Sequence, residues 1–198
     1  TWLSKHEWNL VTRGCQSSTP IGAECTTTET PREAQAALLF AELTSVLRAQ
    51  GTTVLAHLEG LYRRYGLFVS SQVNLTRKGA SGLAELRAIM ARLREAPPWR
   101  IGDHEVVTVR DYQAQVATAK GGATTKLVLP KSDVLAFELA SGSRVIARPS
   151  GTEPKAKFYF DVREPMQAGE SLAAAQARAG ERMKALSDAF VAIAVPKA

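Results

Sequence analysis

Cysteine is scarce in this sequence: Cys15 and Cys25 are the only two in 198 residues, and both lie in one Ser/Thr-rich stretch. A disulfide framework therefore does not hold a domain of this size together. The three histidines, His6, His57 and His104, stand apart, and neither cysteine has a second ligand at a metal-site spacing, so no residue is assigned to a metal. No apolar run approaches the ~20 residues that cross a bilayer, and the start, TWLSKHEWNL, lacks a basic segment followed by an apolar one. The expectation is a cytoplasmic chain with no membrane partner. Two catalytic signatures are also missing. The segment Gly121–Lys126, GGATTK, lacks the spacing of a phosphate-cradling P-loop and precedes a strand rather than a helix. Gly-x-Ser-x-Gly is absent too. No residue of this chain is assigned a catalytic role.

What is present is a foldable composition, with 45% hydrophobic and 22% charged residues. Such a chain buries a core rather than staying disordered, and its length suits one large domain or two small ones. The net charge of +6 invites a nucleic-acid reading, but the bases are spread. The densest cluster is Arg92, Arg94 and Arg100 around a helix end, and no basic stripe interleaved with aromatics accompanies it. A solvated surface of mixed charge is favoured over a nucleic-acid partner, and an anionic small molecule remains compatible.

Residues 1–34 show no sustained period, with a polar tract from Gln16 to Thr30, and are left unassigned. Thr30, Pro31, Arg32 and Glu33 form a capping box, so a helix should follow, with Leu38, Leu39, Leu43, Val46 and Leu47 on one face and Gly51 at its end. Thr53 caps a second helix with Leu55, Leu58, Leu61, Tyr62 and Tyr65 on its face, and Leu67 to Leu75 is a strand candidate. A boundary is expected near 76–79. Beyond it, Ser81 caps a helix burying Leu83, Leu86, Met90 and Leu93, which Pro97 and Pro98 stop. Four strands follow, at Val106–Arg110, Val134–Leu139, Arg144–Ala147 and Ala156–Val162, and a last helix runs from about Ser171 to Ile193. Short links between strands imply an antiparallel sheet covered on one face by two helices, an α+β two-layer domain over 79–198.

One segment carries chemistry: Arg148, Pro149, Ser150, Gly151, Thr152, Glu153, Pro154, Lys155, Ala156, Lys157. Arg offers a planar fork for two phosphate oxygens; Ser and Thr hydroxyls and loop amides opened by Gly151 can meet the others. The two prolines pre-set the loop and lower the entropy lost on binding. The composition alone fits two readings equally, an anion site or an ordinary surface hairpin with basic flanks.

The string RPSGTEPKAKFYF, with the preceding VLAFELASGSRVIA, closely resembles the C-terminal domain of the α-D-phosphohexomutases, the phosphoglucomutase and phosphomannomutase superfamily. The likeness extends upstream, where AALLFAEL and LYRRYG resemble the end of that family's third domain. The resemblance implies that 35–78 is the helical end of an α/β third domain and 79–198 the phosphate-binding domain. It implies that Arg148, Ser150, Gly151 and Thr152 contact the phosphate of a glucose or mannose phosphate, with Glu153 and Lys155 supporting the loop. It also implies reversible phosphoryl transfer between C1 and C6 of a hexose through a bisphosphorylated intermediate, with Mg²⁺ in the full-length enzyme. The TASHNP-like phosphoserine loop, the DGDxDR-like metal loop and the sugar loop of such enzymes are not found in this sequence. The expectation is the phosphate-gripping tail of a longer mutase, inactive and without a cofactor by itself. The alternatives are a stand-alone phospholigand-binding module or an inactive remnant.

Overall fold

A computed structural model describes residues 32–77, 79–150 and 154–195. The capping box at Thr30 lies outside them. By its internal contacts the chain divides into two compact units, Thr1–Val46 and Leu47–Ala198. Among the described residues no helix is long and apolar enough to cross a membrane.

The first unit is described as most of helix α1, Arg32–Ala49, whose residues 35–46 are all exposed, Leu38, Leu39 and Phe40 included. The apolar face expected there is real as a pattern, but only Leu47 of it is buried. Gly51 ends the helix at φ +70, with its N–H donating to Arg48 O at 3.0 Å.

The second unit continues with α2, Val54–Tyr65, capped as expected by Thr53, whose Oγ1 accepts from Ala56 N at 3.1 Å. No α2 residue is buried; Tyr62 alone packs on a small cluster of Leu67, Ala175 and Ala179. Then come β1 (Leu67–Thr76), α3 (Gly79–Glu95), β2 (Arg100–Ile101), β3 (His104–Asp111), β4 (Val116–Ala119), β5 (Thr124–Lys126), β6 (Leu135–Leu139), β7 (Arg144–Pro149), β8 (Lys155–Glu164) and α4 (Leu172–Ala194).

The α+β architecture with an antiparallel sheet and two covering helices is present, and the sheet is larger than the four strands expected. It holds eight strands in the order β1-β8-β7-β6-β3-β4-β5, with β2 paired to β3. β1, grouped by sequence with residues 35–78, pairs with β8 along ten residues, from Leu67↔Glu164 to Thr76↔Lys155. The extra strands β4 and β5 are short and rich in Ala and Thr.

Alternation sorts the sheet into two faces. Phe137, Val145, Ala147, Ala156, Phe158 and Phe160 are buried against α3 and α4. From α3 come Leu86, Ile89, Met90 and Leu93, and from α4 Met183, Leu186, Phe190 and Ala194. α4 starts where expected, with Ser171 Oγ accepting from Ala174 N at 3.2 Å. The other face is polar and carries Arg110, Glu138, Arg144, Arg148, Lys157 and Asp161, none of them buried.

Candidate anion-binding site

The site is built on the β7–β8 hairpin. The core residues Ala147 and Phe158 face each other across the two strands, so their neighbours Arg148 and Lys157, the next pair in register, point to the polar face. Pro149↔Ala156 closes the ladder, and Ser150 N–H donates to Lys155 O at 2.7 Å at the mouth of the loop. The loop's exit is tied to β1, where Arg77 N–H donates to Pro154 O at 3.0 Å. Of the residues expected to grip an anion, Arg148 is exposed at the end of β7, Ser150 is half-buried beyond it and Lys155, also half-buried, opens β8. Gly151, Thr152 and Glu153 lie outside the described residues.

The cations elsewhere on this face are already engaged. Arg110 Nε donates to Glu138 Oε1 at 2.6 Å, and Arg144 Nε to Asp161 Oδ2 at 2.6 Å. Arg163 Nε donates to the Tyr65 carbonyl at 3.0 Å. Burial pushes the Asp161 carboxyl up, but hydrogen bonds from Ser70 and Arg144 outweigh it and hold its pKa below the ordinary value. Asp161 is therefore a fixed negative charge at that end of the face.

Arg148 and Lys157 differ. Among the described residues neither has a hydrogen-bond or ion-pair partner. Like charges directly opposite on neighbouring strands repel, at a cost of a few tenths to about 1 kcal/mol. An anion between them reverses the sign of that term and gains two charge-assisted hydrogen bonds. Lys157 stands in the segment singled out from the sequence, with no contact assigned to it there. Its signal was available in the alternation that puts Lys155 and Lys157 on one face, but its partner is fixed only by the register of the hairpin.

The arrangement can hold a small anion and offers no metal cage. Among the described residues, no three His, Cys, Asp or Glu side chains converge in a way that could hold a metal ion. The described residues do not fit the Mg²⁺ that the resemblance implied for a complete enzyme. Of the three arginines that drew attention near the end of α3, Arg92 and Arg94 are bonded within the fold. Arg92 Nη2 donates to the Ala194 carbonyl at 2.5 Å, and Arg94 pairs with Asp111 at 3.3 Å and with Asp133.

Comparison with known proteins shows the family. Residues 72–179 match the family model described as phosphoglucomutase/phosphomannomutase, C-terminal domain. A probable phosphomannomutase of Haemophilus influenzae is 36% identical over 140 residues, covering 70% of this chain and 26% of that protein. A phosphoglucomutase of Staphylococcus saprophyticus is 31% identical over 125 residues, covering 63% of this chain and 22% of that protein. The chain thus matches about a quarter of the length of these relatives. Among solved structures, the open form of pp63/parafusin, a phosphoglucomutase from Paramecium, is similar over 73% of this chain and 24% of that one, at 18% identity and a TM-score of 0.38. A likeness of that size adds nothing to the fold described above.

Proposed function

We propose that this chain, which belongs to the phosphoglucomutase/phosphomannomutase family and carries its C-terminal domain, grips the phosphate of a hexose phosphate at the β7–β8 hairpin. The observation that carries the reading is the pair Arg148 and Lys157, opposite each other on β7 and β8 and without a hydrogen-bond or ion-pair partner among the described residues. Arg148 supplies a bidentate fork with a permanent charge, Lys157 a second charge, and the loop from Ser150 to Thr152 hydroxyls and amides.

Such a grip serves phosphoryl transfer within one hexose. The end of the sugar not reacting must be held while the other end meets the phosphoryl donor, and a rigid anion clamp converts binding energy into that positioning. The chemistry itself, with its phosphoserine and Mg²⁺, belongs in this reading to the other parts of a complete enzyme, and no step passes through a metal here. Glucose and mannose phosphates are the substrates proposed, in the cytoplasm.

The test is nuclear magnetic resonance titration of the 198-residue chain with glucose 6-phosphate. Shifts should centre on Arg148, Ser150 and Lys157, and Arg148→Ala should weaken binding by about tenfold to a hundredfold, the range for a hydrogen bond to a charged group. Equal binding by the variant would sink the assignment. The chain alone should convert no glucose 1-phosphate to glucose 6-phosphate.

A further inference from the structure

β1 closes one end of the sheet: β8 lies on one side of it, and among the described residues no backbone bond reaches its other side. Arg77 N–H donates to Pro154 O, and in an antiparallel ladder such bonding recurs at every second residue. The odd-numbered residues of β1 therefore bond to β8, while Phe68, Ser70, Gln72 and Asn74 turn their N–H and C=O groups away from it. An open edge is a template for a further strand, and proteins ordinarily blunt it with charge, proline, a bulge or shortness. β5, at the opposite end of the sheet, is three residues long and carries Lys126. β1 has none of these devices: its ten residues, LFVSSQVNLT, hold no charge and no proline and run in unbroken register with β8.

The side chains along this edge are open too. Phe68, on the polar face, is 55% exposed, and Ser71 is exposed although alternation turns it to the side that the helices cover. On that side the edge ends in a groove of about 610 Å³ between Val73 and the α4 residues Ser187, Val191 and Val195. The pattern of the strand says what fits there. Its helix-side residues are Leu67, Val69, Ser71, Val73 and Leu75, a series that reads the same in both directions. A second copy turned about a two-fold axis through Ser71 sets Leu67 against Leu75, Val69 against Val73 and Ser71 against itself. A slip of one residue would put the apolar set on the wrong face, and a slip of two would set Ser71 against Val73.

We infer that this chain pairs with a second copy of itself, β1 against β1 about Ser71, joining two eight-stranded sheets into one. The contact is isologous and closes on two copies, as a two-fold interface must. The outward groups of Phe68 exchange bonds with those of Asn74 in the other copy, and Ser70 with Gln72. The helix-side residues then form the pairs without mutual bonds, where side chains approach most closely. Val69 of the second copy comes to rest at the groove beside Val73, and the half-buried apolar residues of the edge gain cover. No like charges meet, because β1 carries none.

Analytical ultracentrifugation of the 198-residue chain under reducing conditions checks the association. One strand pair buries less than the ~1,600 Å² of a standard interface, so the dissociation constant should be on the order of 10–100 μM, with the mass rising from one copy toward two. Ser71→Lys places two ammonium groups against each other on the axis and should weaken the dimer by about fivefold. The register is read by cross-linking in a chain carrying Cys15→Ser and Cys25→Ser. Ser71→Cys should form a disulfide-linked dimer with oxidised glutathione, because the two Cα atoms at the axis stand ~4.5–5.5 Å apart. Asn74→Cys should not, since its two copies are about 20 Å apart along the paired strands. Ser71 and Asn74 are both exposed, so these variants keep the fold. A single copy at every concentration up to about 500 μM, more than fivefold above the expected constant, overturns the inference. So does a dimer that Ser71→Lys leaves as tight, or one that Asn74→Cys cross-links as readily as Ser71→Cys.

Discussion

Arg178, on the second turn of α4, holds three acceptors at once. Its Nε donates to Glu164 Oε1 at 2.6 Å, its Nη2 to Glu170 Oε2 at 3.0 Å and to the Pro165 carbonyl at 3.1 Å, and Nη1 also pairs with Glu170. Glu164 ends β8 on the core side and is only 2% exposed, a position where an ionised carboxylate survives only with partners. Arg182 Nη1 supplies charge to its other oxygen from 3.0 Å, without the alignment of a hydrogen bond. Glu170 gains most. The Arg178 guanidinium, and after it the Gln167 N–H, bring its carboxyl down from 4.5 to about 2. Because the folded value lies below the unfolded one, this contribution is fully present above about 4.5 and is lost as pH falls toward 2. Glu170→Gln should therefore lower the thermal midpoint at pH 7 by a few degrees and flatten its fall between pH 4.5 and 2, followed by circular dichroism. A midpoint that falls as steeply with acid in the variant would show that another carboxylate carries the effect.

At the scale of elements, α4 shows what a sequence can and cannot say. Its buried series Ala175, Ala179, Met183, Leu186 and Phe190 follows from periodicity alone, while the last buried position is Ala194 rather than the neighbouring Ile193 that the pattern favours. β8 was equally legible, its burial alternating along the strand from Ala156 to Glu164. Less legible were β4 and β5, since the turn from β3 enters β4 through Gln115 at φ +57, a conformation that sequence rarely assigns to glutamine. Their Ala and Thr residues give little apolar alternation. The pairing of Arg148 with Lys157 was hidden for a different reason, since register is a property of two strands and neither strand carries it alone. The packing that fixes this register centres on Phe190, whose ring centroid lies 5.5 Å from Phe137, 5.2 Å from Phe158 and 6.0 Å from Phe160. Removing it leaves a cavity beneath three strands. Phe190→Ala should cost about 3–5 kcal/mol in chemical denaturation, and a loss below about 1 kcal/mol would mean that α3 and the sheet collapse into the space.

At the scale of the whole molecule, the charge excess and the apolar pattern look different once the fold is known. The net +6 does not make a uniform basic surface, because Arg92, Arg94, Arg110, Arg144, Arg163 and Arg178 are all bonded within the fold. What distinguishes Arg148 and Lys157 is that they stand opposite each other on one face with no hydrogen-bond or ion-pair partner among the described residues. The apolar faces of α1 and α2 were legible as helices, but periodicity says only that a face is apolar and is silent on what covers it. Leu38, Leu39, Phe40 and Leu55 are all more than half exposed. The core of the second unit is built from α3, α4 and the sheet, and residues 35–46 bury nothing. Stability follows buried apolar area, so a chain lacking Thr1–Val46 should unfold in one transition with a midpoint within about 2 °C of the full chain's. It should keep nearly the same denaturant dependence, because residues 35–46, in the described part of the first unit, are all exposed. It should also keep the phosphate-dependent shifts at Arg148 and Lys157, as the hairpin and its supporting strands β1 and β6 lie wholly in the second unit. A midpoint lower by about 10 °C would make the first unit part of the cooperative fold, and lost shifts at an unchanged midpoint would make it part of the grip.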